Sequence, residues 1–280
     1  MTRLHKGRVA WRPDFQRWLG GPLQRTARAR QAGFWTGTGR VFQLALGQMV
    51  RSRRTLFIAL IVGGPVLLAV AGRMAGSASV SVTVNGGRLG GADMFDTILW
   101  LLFLRFAVPV LGVWYGTSLI ADEVEEKTIT YLFVRPIRRG AVIVGKYLAY
   151  LVCTSVVVLA AAAFVYTAVV ARWSLPESDL ARHLGVLALG LAAYGSLFAL
   201  MGASLKRPLV IGLVFAFGWE QVALLVPGYL RRFTLAYHLE AVFRQTAGAT
   251  TSLFWLVAIT AGCLLLATRA VERREYVLDQ

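Results

Sequence analysis

The segment Gly140-Ala-Val-Ile-Val-Gly145-Lys146-Tyr147 comes within one residue of a phosphate-binding loop. In such a loop the backbone N–H groups cradle phosphates, the lysine reaches the outer phosphates, and a closing Ser or Thr holds magnesium. Tyr147 stands at the closing position, where its phenol cannot do that work, and the residues between the glycines are apolar. Nucleotide binding is therefore not expected here. Lys146 is expected to anchor the inner end of an apolar helix by reaching to the lipid headgroups.

A second group of residues lies just upstream. Asp122, Glu123, Glu125 and Glu126 open a charged stretch that Arg135, Arg138 and Arg139 close. Acids at a helix start and bases at its end suit the helix dipole. Glu123 and Lys127 stand in the favourable i, i+4 order, and Pro136 ends the helix. Taken by itself, this pattern describes a solvated helix with its charges satisfied. Two more charges, Arg105 and Glu220, fall inside apolar runs. Charges at membrane depth are costly and face a partner or a cavity. Counted at ~1.5 Å per residue from the outer ends, Arg105 lies about 12 Å deep and Glu220 about 15 Å deep. An intramembrane polar pair linking the second and fifth runs is consistent with those depths. It would either brace the bundle or line a pathway. Cys153 and Cys263 sit in apolar runs and read as inert small hydrophobes. No Cys/His cluster has metal-ligand spacing.

The elements that must hold these groups are apolar. The chain has 280 residues, of which 57% are hydrophobic and 16% charged, with a mean hydropathy of +0.61. Soluble domains carry roughly 25% charged residues. An ordinary soluble enzyme, a disordered chain and a disulfide-stapled module are all excluded. The composition predicts an all-α membrane protein. Six apolar runs approach the ~20 residues that cross a bilayer, at about 55–72, 97–120, 147–170, 184–205, 209–230 and 252–270. The fourth and fifth are parted only by Lys206, Arg207 and Pro208, a tight hairpin. Gly185, Gly190, Gly195, Ser196 and Gly202 mark the fourth run as one packed inside the bundle. Pro65 and Pro109 are expected at helix kinks.

Residues 1–37 form a basic tail, and 38–54 an amphipathic helix with Phe42, Ala45, Leu46 and Met49 on one face. A basic amphipathic helix before a span reads as interfacial. With the N-terminus inside, 22 of the 30 basic residues fall on the inner face. This predicts a six-helix domain over 55–271 with both termini cytoplasmic, the second being residues 272–280. The basic excess then reflects orientation and leaflet anchoring, with no nucleic acid as partner. On the outer side, the alternating Ser79–Gly87 stretch with Asn85-Gly86 reads as a small hairpin. The apolar Pro227–Gly248 stretch reads as a short interfacial helix or partial re-entrant segment.

The charged inner stretch resembles the signature loop of type-2 ABC transporter permeases, the six-span membrane subunits of ATP-driven exporters. The resemblance rests on Glu123-Val-Glu-Glu-Lys-Thr-Ile-Thr-Tyr-Leu, then Arg135-Pro136-Ile-Arg-Arg139, then Gly145-Lys146-Tyr-Leu-Ala149. A second stretch, Trp219-Glu220 with Pro227-Gly-Tyr-Leu-Arg-Arg-Phe-Thr234, resembles one branch of that family. The resemblance implies a permease subunit without catalytic residues, in which the loop docks on a separate ATP-binding subunit. Glu123, Glu126, Lys127, Thr128, Arg135, Pro136, Arg138 and Arg139 would form the coupling loop, with Leu132 and Phe133 filling the partner's groove. It implies two cytoplasmic ATPase subunits, with ATP and magnesium held there and no cofactor on this chain. It also implies a second permease copy, identical or a close paralogue, in the inner membrane. In that family the second and fifth spans line the central cavity and the dimer seam. Two other classes compete: a secondary transporter or channel using Arg105 and Glu220, and an intramembrane lipid-modifying enzyme. The enzyme would need Asp, His or Cys clustered within the spans, and the spans hold no such cluster.

Overall fold

A computed structural model describes residues 34–51, 54–76, 83–84, 87–88, 91–119, 139–170, 177–226 and 229–273. Helix α1 spans Phe34–Arg51 and α2 spans Arg54–Gly76. A two-residue ladder follows, in which β1 (Thr83–Val84) pairs antiparallel with β2 (Gly87–Arg88). The strands flank Asn85-Gly86, as the alternation there predicts. Helix α3 occupies residues 91–119 as one rod of mixed winding. Helix α4 is Arg139–Val170, α5 is Glu177–Ser204, and α6 is Pro208–Leu225. A 3₁₀ turn, Tyr229–Phe233, leads into α7 (Leu235–Phe243), and α8 is Ala249–Arg273.

Among the described residues, five helical segments are long and apolar enough to cross a membrane: Phe95–Leu119, Gly140–Val169, Leu180–Ser204, Pro208–Leu225 and Ala249–Glu272. The first of the six expected runs is a shorter apolar stretch, Phe57–Gly72, within α2. Its flanking Arg54 and Arg73 limit the apolar length. The molecule is thus a helical, multi-pass membrane protein.

Local chemistry explains the helix boundaries. Lys206 and Arg207 form the bend between α5 and α6, and Pro208 opens α6 at a position where its missing N–H costs nothing. Thr234 caps α7, its hydroxyl accepting from the N–H of Tyr237 at 3.3 Å. Pro65 lies inside α2 without ending it, as transmembrane helices allow. Helix α1 starts at Phe34, four residues ahead of the expected boundary. The expected face is borne out: Ala45 is buried, Met49 packs on the core, and Phe42 and Leu46 are half-buried. That face lies along α4.

The core forms where α3, α4 and α5 meet, and small residues set its spacing. A Cβ added to Gly112 would lie 2.9 Å from Tyr194 Cβ, and one on Gly116 would lie 2.8 Å from Phe198 Cβ. One on Gly202 would lie 2.5 Å from the carbonyl of Thr117. The space above Gly195 is filled by the Tyr150 ring. Side-chain-free contacts of this kind let membrane helices approach closely where lipid supplies no hydrophobic drive. The fourth expected run is therefore the interior helix, as its glycines predict. Gly185 differs, because its Cβ direction is open.

Candidate functional site: a polar cluster across four helices

Both intramembrane charges sit at irregular winding. In α3, Leu99–Ala107 is π-helical, and the N–H of Val108 bonds back to the carbonyl of Phe103. Pro109, one turn beyond Arg105, has no N–H to give the Arg105 carbonyl, so α-helical bonding cannot be continuous there. In α6, Val214–Trp219 is π-helical, and the N–H of Glu220 bonds back to Phe215. Such wide turns inside α-helices concentrate at functional sites.

Arg105 and Glu220 lie at adjoining levels but do not pair with each other. Arg105 Nη2 donates to Gln221 Oε1 at 2.7 Å, which bridges α3 and α6. Glu220 is 1% exposed. Its Oε2 accepts from the Tyr194 hydroxyl of α5, and its Oε1 accepts from the N–H of Leu235 at 3.1 Å. A direct ion pair, which the depths alone would permit, is not formed, and two neighbouring links stand in its place. Residues 220 and 221 are adjacent on a helix and point in different directions, so only one can face Arg105. The carboxylate instead meets the start of α7, where unpaired backbone N–H groups and the helix dipole favour a negative charge.

The cluster thus ties α3, α5, α6 and α7 together. Each of these bonds engages a donor with an acceptor, so the arrangement links the four helices to one another. No group of His, Cys, Asp or Glu able to hold a metal occurs among the described residues.

Sequence reasoning missed Gln221 and Tyr194. Gln221 carried a signal, being a second polar residue beside Glu220 within an apolar run. Tyr194 carried little, because a tyrosine in a span reads as packing. The donor at Leu235 is a backbone group and leaves no trace in the sequence.

A separate cleft of about 500 Å³ opens at the end of the bundle where α3 begins and α7 ends. Asp96, Trp100, Arg182, Phe243 and Arg244 contribute to its walls. The Arg244 guanidinium stacks 5.9 Å from the Trp100 ring and donates from Nε to Glu240 at 3.0 Å. Half-buried His238 bridges the 3₁₀ turn and α8. Its Nε2–H donates to the Arg232 carbonyl at 2.9 Å, and its Nδ1 accepts from the Ser252 hydroxyl at 3.2 Å. Burial lowers its pKa below the ordinary value, against a smaller raising effect of the Arg232 carbonyl.

The near match to a phosphate-binding loop is not a loop. Gly140 to Tyr147 lie within α4 and follow a helical path rather than that of a loop. Lys146 has a partner within the protein. Its Nζ donates to the carbonyl of Leu119 at 2.9 Å. Glu123, Glu126, Lys127, Thr128, Leu132, Phe133, Arg135, Pro136 and Arg138 lie outside the described residues, and Arg139 opens α4.

Residues 40–272 match the sequence model of the family described as ABC-2 family transporter protein. No curated protein matches the chain.

Proposed function

The chain belongs to the ABC-2 transporter family as a membrane permease subunit, and from that premise we propose that it forms the translocation pathway of an exporter driven by separate ATP-binding subunits. The match over residues 40–272 carries this reading, because it takes in the charged inner stretch as well as the helices. In the proposed arrangement, residues 120–138 dock on a cytoplasmic ATPase. Glu123, Glu126, Arg135, Arg138 and Arg139 supply charge complementarity, and Leu132 and Phe133 fill its groove. Two such ATPases hold ATP and magnesium, and a second permease copy completes the pathway. The Phe57–Gly72 stretch counts as the first of six spans, α1 lies at the inner interface, and both termini are cytoplasmic. The excess of basic residues on that side supports the orientation in an inner membrane.

Binding at the loop drives transport only if it differs between two states of the bundle. The polar cluster suits that demand. It links α3, which leads into the loop, to α6 and α7 through Arg105, Gln221 and Glu220. Arg105 and Glu220 each engage a neighbour on another helix, which supports a mechanical role for the cluster.

The test is co-purification. The permease expressed with a candidate ABC ATPase subunit from the same genome should be recovered as one complex whose ATP hydrolysis the permease stimulates. Reversing both charges in Arg138→Glu/Arg139→Glu should abolish that stimulation while the helices stay folded. Unchanged stimulation in the double variant would remove the docking assignment.

A further inference from the structure

Three consecutive residues of α4 each engage a different helix. Gly145 lies against the backbone of α1: a Cβ there would sit 2.8 Å from the Thr38 carbonyl and 3.0 Å from Val41 Cβ. Lys146 Nζ donates to the carbonyl of Leu119, the last described residue of α3, at 2.9 Å. Tyr147 turns to α5, where its hydroxyl donates to the Ala192 carbonyl at 2.9 Å. One turn on, Tyr150 repeats the contact with the Leu191 carbonyl at 3.1 Å.

Successive side chains on a helix point about 100° apart. Three adjacent residues therefore address three neighbours at one level only when α4 is surrounded there. The acceptors of Lys146, Tyr147 and Tyr150 are main-chain carbonyls, so each link grips a helix axis rather than a mobile side chain. Lysine is suited to its place, because its stem spans the gap between helices and its charge strengthens the bond to a carbonyl.

We propose that Gly145-Lys146-Tyr147 is a joint that makes α1, α3 and α5 move with α4 as one body, with Lys146 as the positioning residue that fixes where residues 120–138 leave α3 and re-enter α4. This rests on the reading of that stretch as the docking loop. A push on the loop then arrives at four helices together. Without Lys146, the end of α3 stays packed on α5 at Thr117 and Gly202 but loses its hydrogen-bonded tie to α4.

The experiment measures distances between spin labels in the permease–ATPase complex in lipid nanodiscs, with Cys153 and Cys263 replaced by Ser. One pair, Ser118→Cys with Val144→Cys, spans the joint. A second, Ser118→Cys with Thr130→Cys, follows the loop. The first pair should give a single narrow distance that ATP leaves unchanged. Lys146→Met should broaden it with and without ATP, and Lys146→Arg, which keeps a charged donor, should restore the narrow distribution. Lys146→Gln serves if the Met variant does not fold, because its amide is too short to reach Leu119. A narrow distance in Met or Gln variants equal to the unmodified pair would overturn the proposal. So would an ATP-driven change across the joint in the parent protein. If the loop pair ignores ATP while the joint responds to Lys146 as described, the docking reading fails and the joint stands.

Discussion

Helices α5 and α8 are nearly the same length, both are apolar, and they pack on each other, yet they differ widely in burial. Of the five long apolar helices, α5 is the most buried and α8 the least. The difference lies in residue size on the facing surfaces. On α5, Gly195 and Gly202 admit a tyrosine ring and a neighbouring backbone. On α8, Gly262 meets nothing within 4 Å, and Phe254, Trp255 and Leu265 point outward more than half exposed. Hydropathy alone does not separate an interior helix from a peripheral one in a membrane. The placement of small residues does, because lipid is as apolar as leucine and only close packing rewards contact.

This contrast can be broken in order of expected effect. Gly195→Leu drives a side chain into the Tyr150 ring and should cost about 3 kcal/mol or more of stability, read as loss of a monodisperse peak in detergent. Glu220→Leu should come next. It leaves the Tyr194 hydroxyl and the Leu235 N–H without their acceptor, at about 2 kcal/mol or more, while Glu220→Gln keeps an acceptor and should lose less than half of that. Thermal unfolding in micelles checks both. Gly262→Leu on α8 should leave the midpoint unchanged or raise it by the equivalent of up to about 1 kcal/mol, from helix propensity. A loss there as large as at Gly195 would mean that α8's open face is covered in the assembled complex.

The smallest effect concerns His238. Its folded pKa lies below the ordinary histidine value, so folding favours the neutral ring. That contribution is complete above the ordinary value and is lost as pH falls below it. His238→Gln should flatten the dependence of the unfolding midpoint between pH 7 and pH 5 (about the histidine range). An unchanged slope would assign that dependence to other groups.

Much of this architecture was legible in the sequence. Apolar run length placed five long helices and a shorter sixth stretch. Pro208 marked the α5–α6 bend, and the glycines of α5 marked its interior position. The amphipathic face of α1 was read correctly, although its start was not, since Gly37 lowers the helix propensity of the first turn. The site was less legible. Depth counting brought Arg105 and Glu220 to adjoining levels, but side-chain direction decided the partners, and π-helical winding shifts direction without a sequence signature. Lys146 was assigned to lipid because headgroups are the default partner at a span end. A main-chain carbonyl on another helix cannot be anticipated from composition.

The irregular winding of α3 and α6 has a consequence of its own. A wide turn houses one residue more than the α-turn it replaces. If that surplus were passed along the helix, everything beyond it would turn by about 100° and shift by about 1.5 Å. Arg105 and Glu220 stand within or directly beside such turns. A rod of this kind has slack at a defined place, where its two ends can be clocked against each other without breaking the rod.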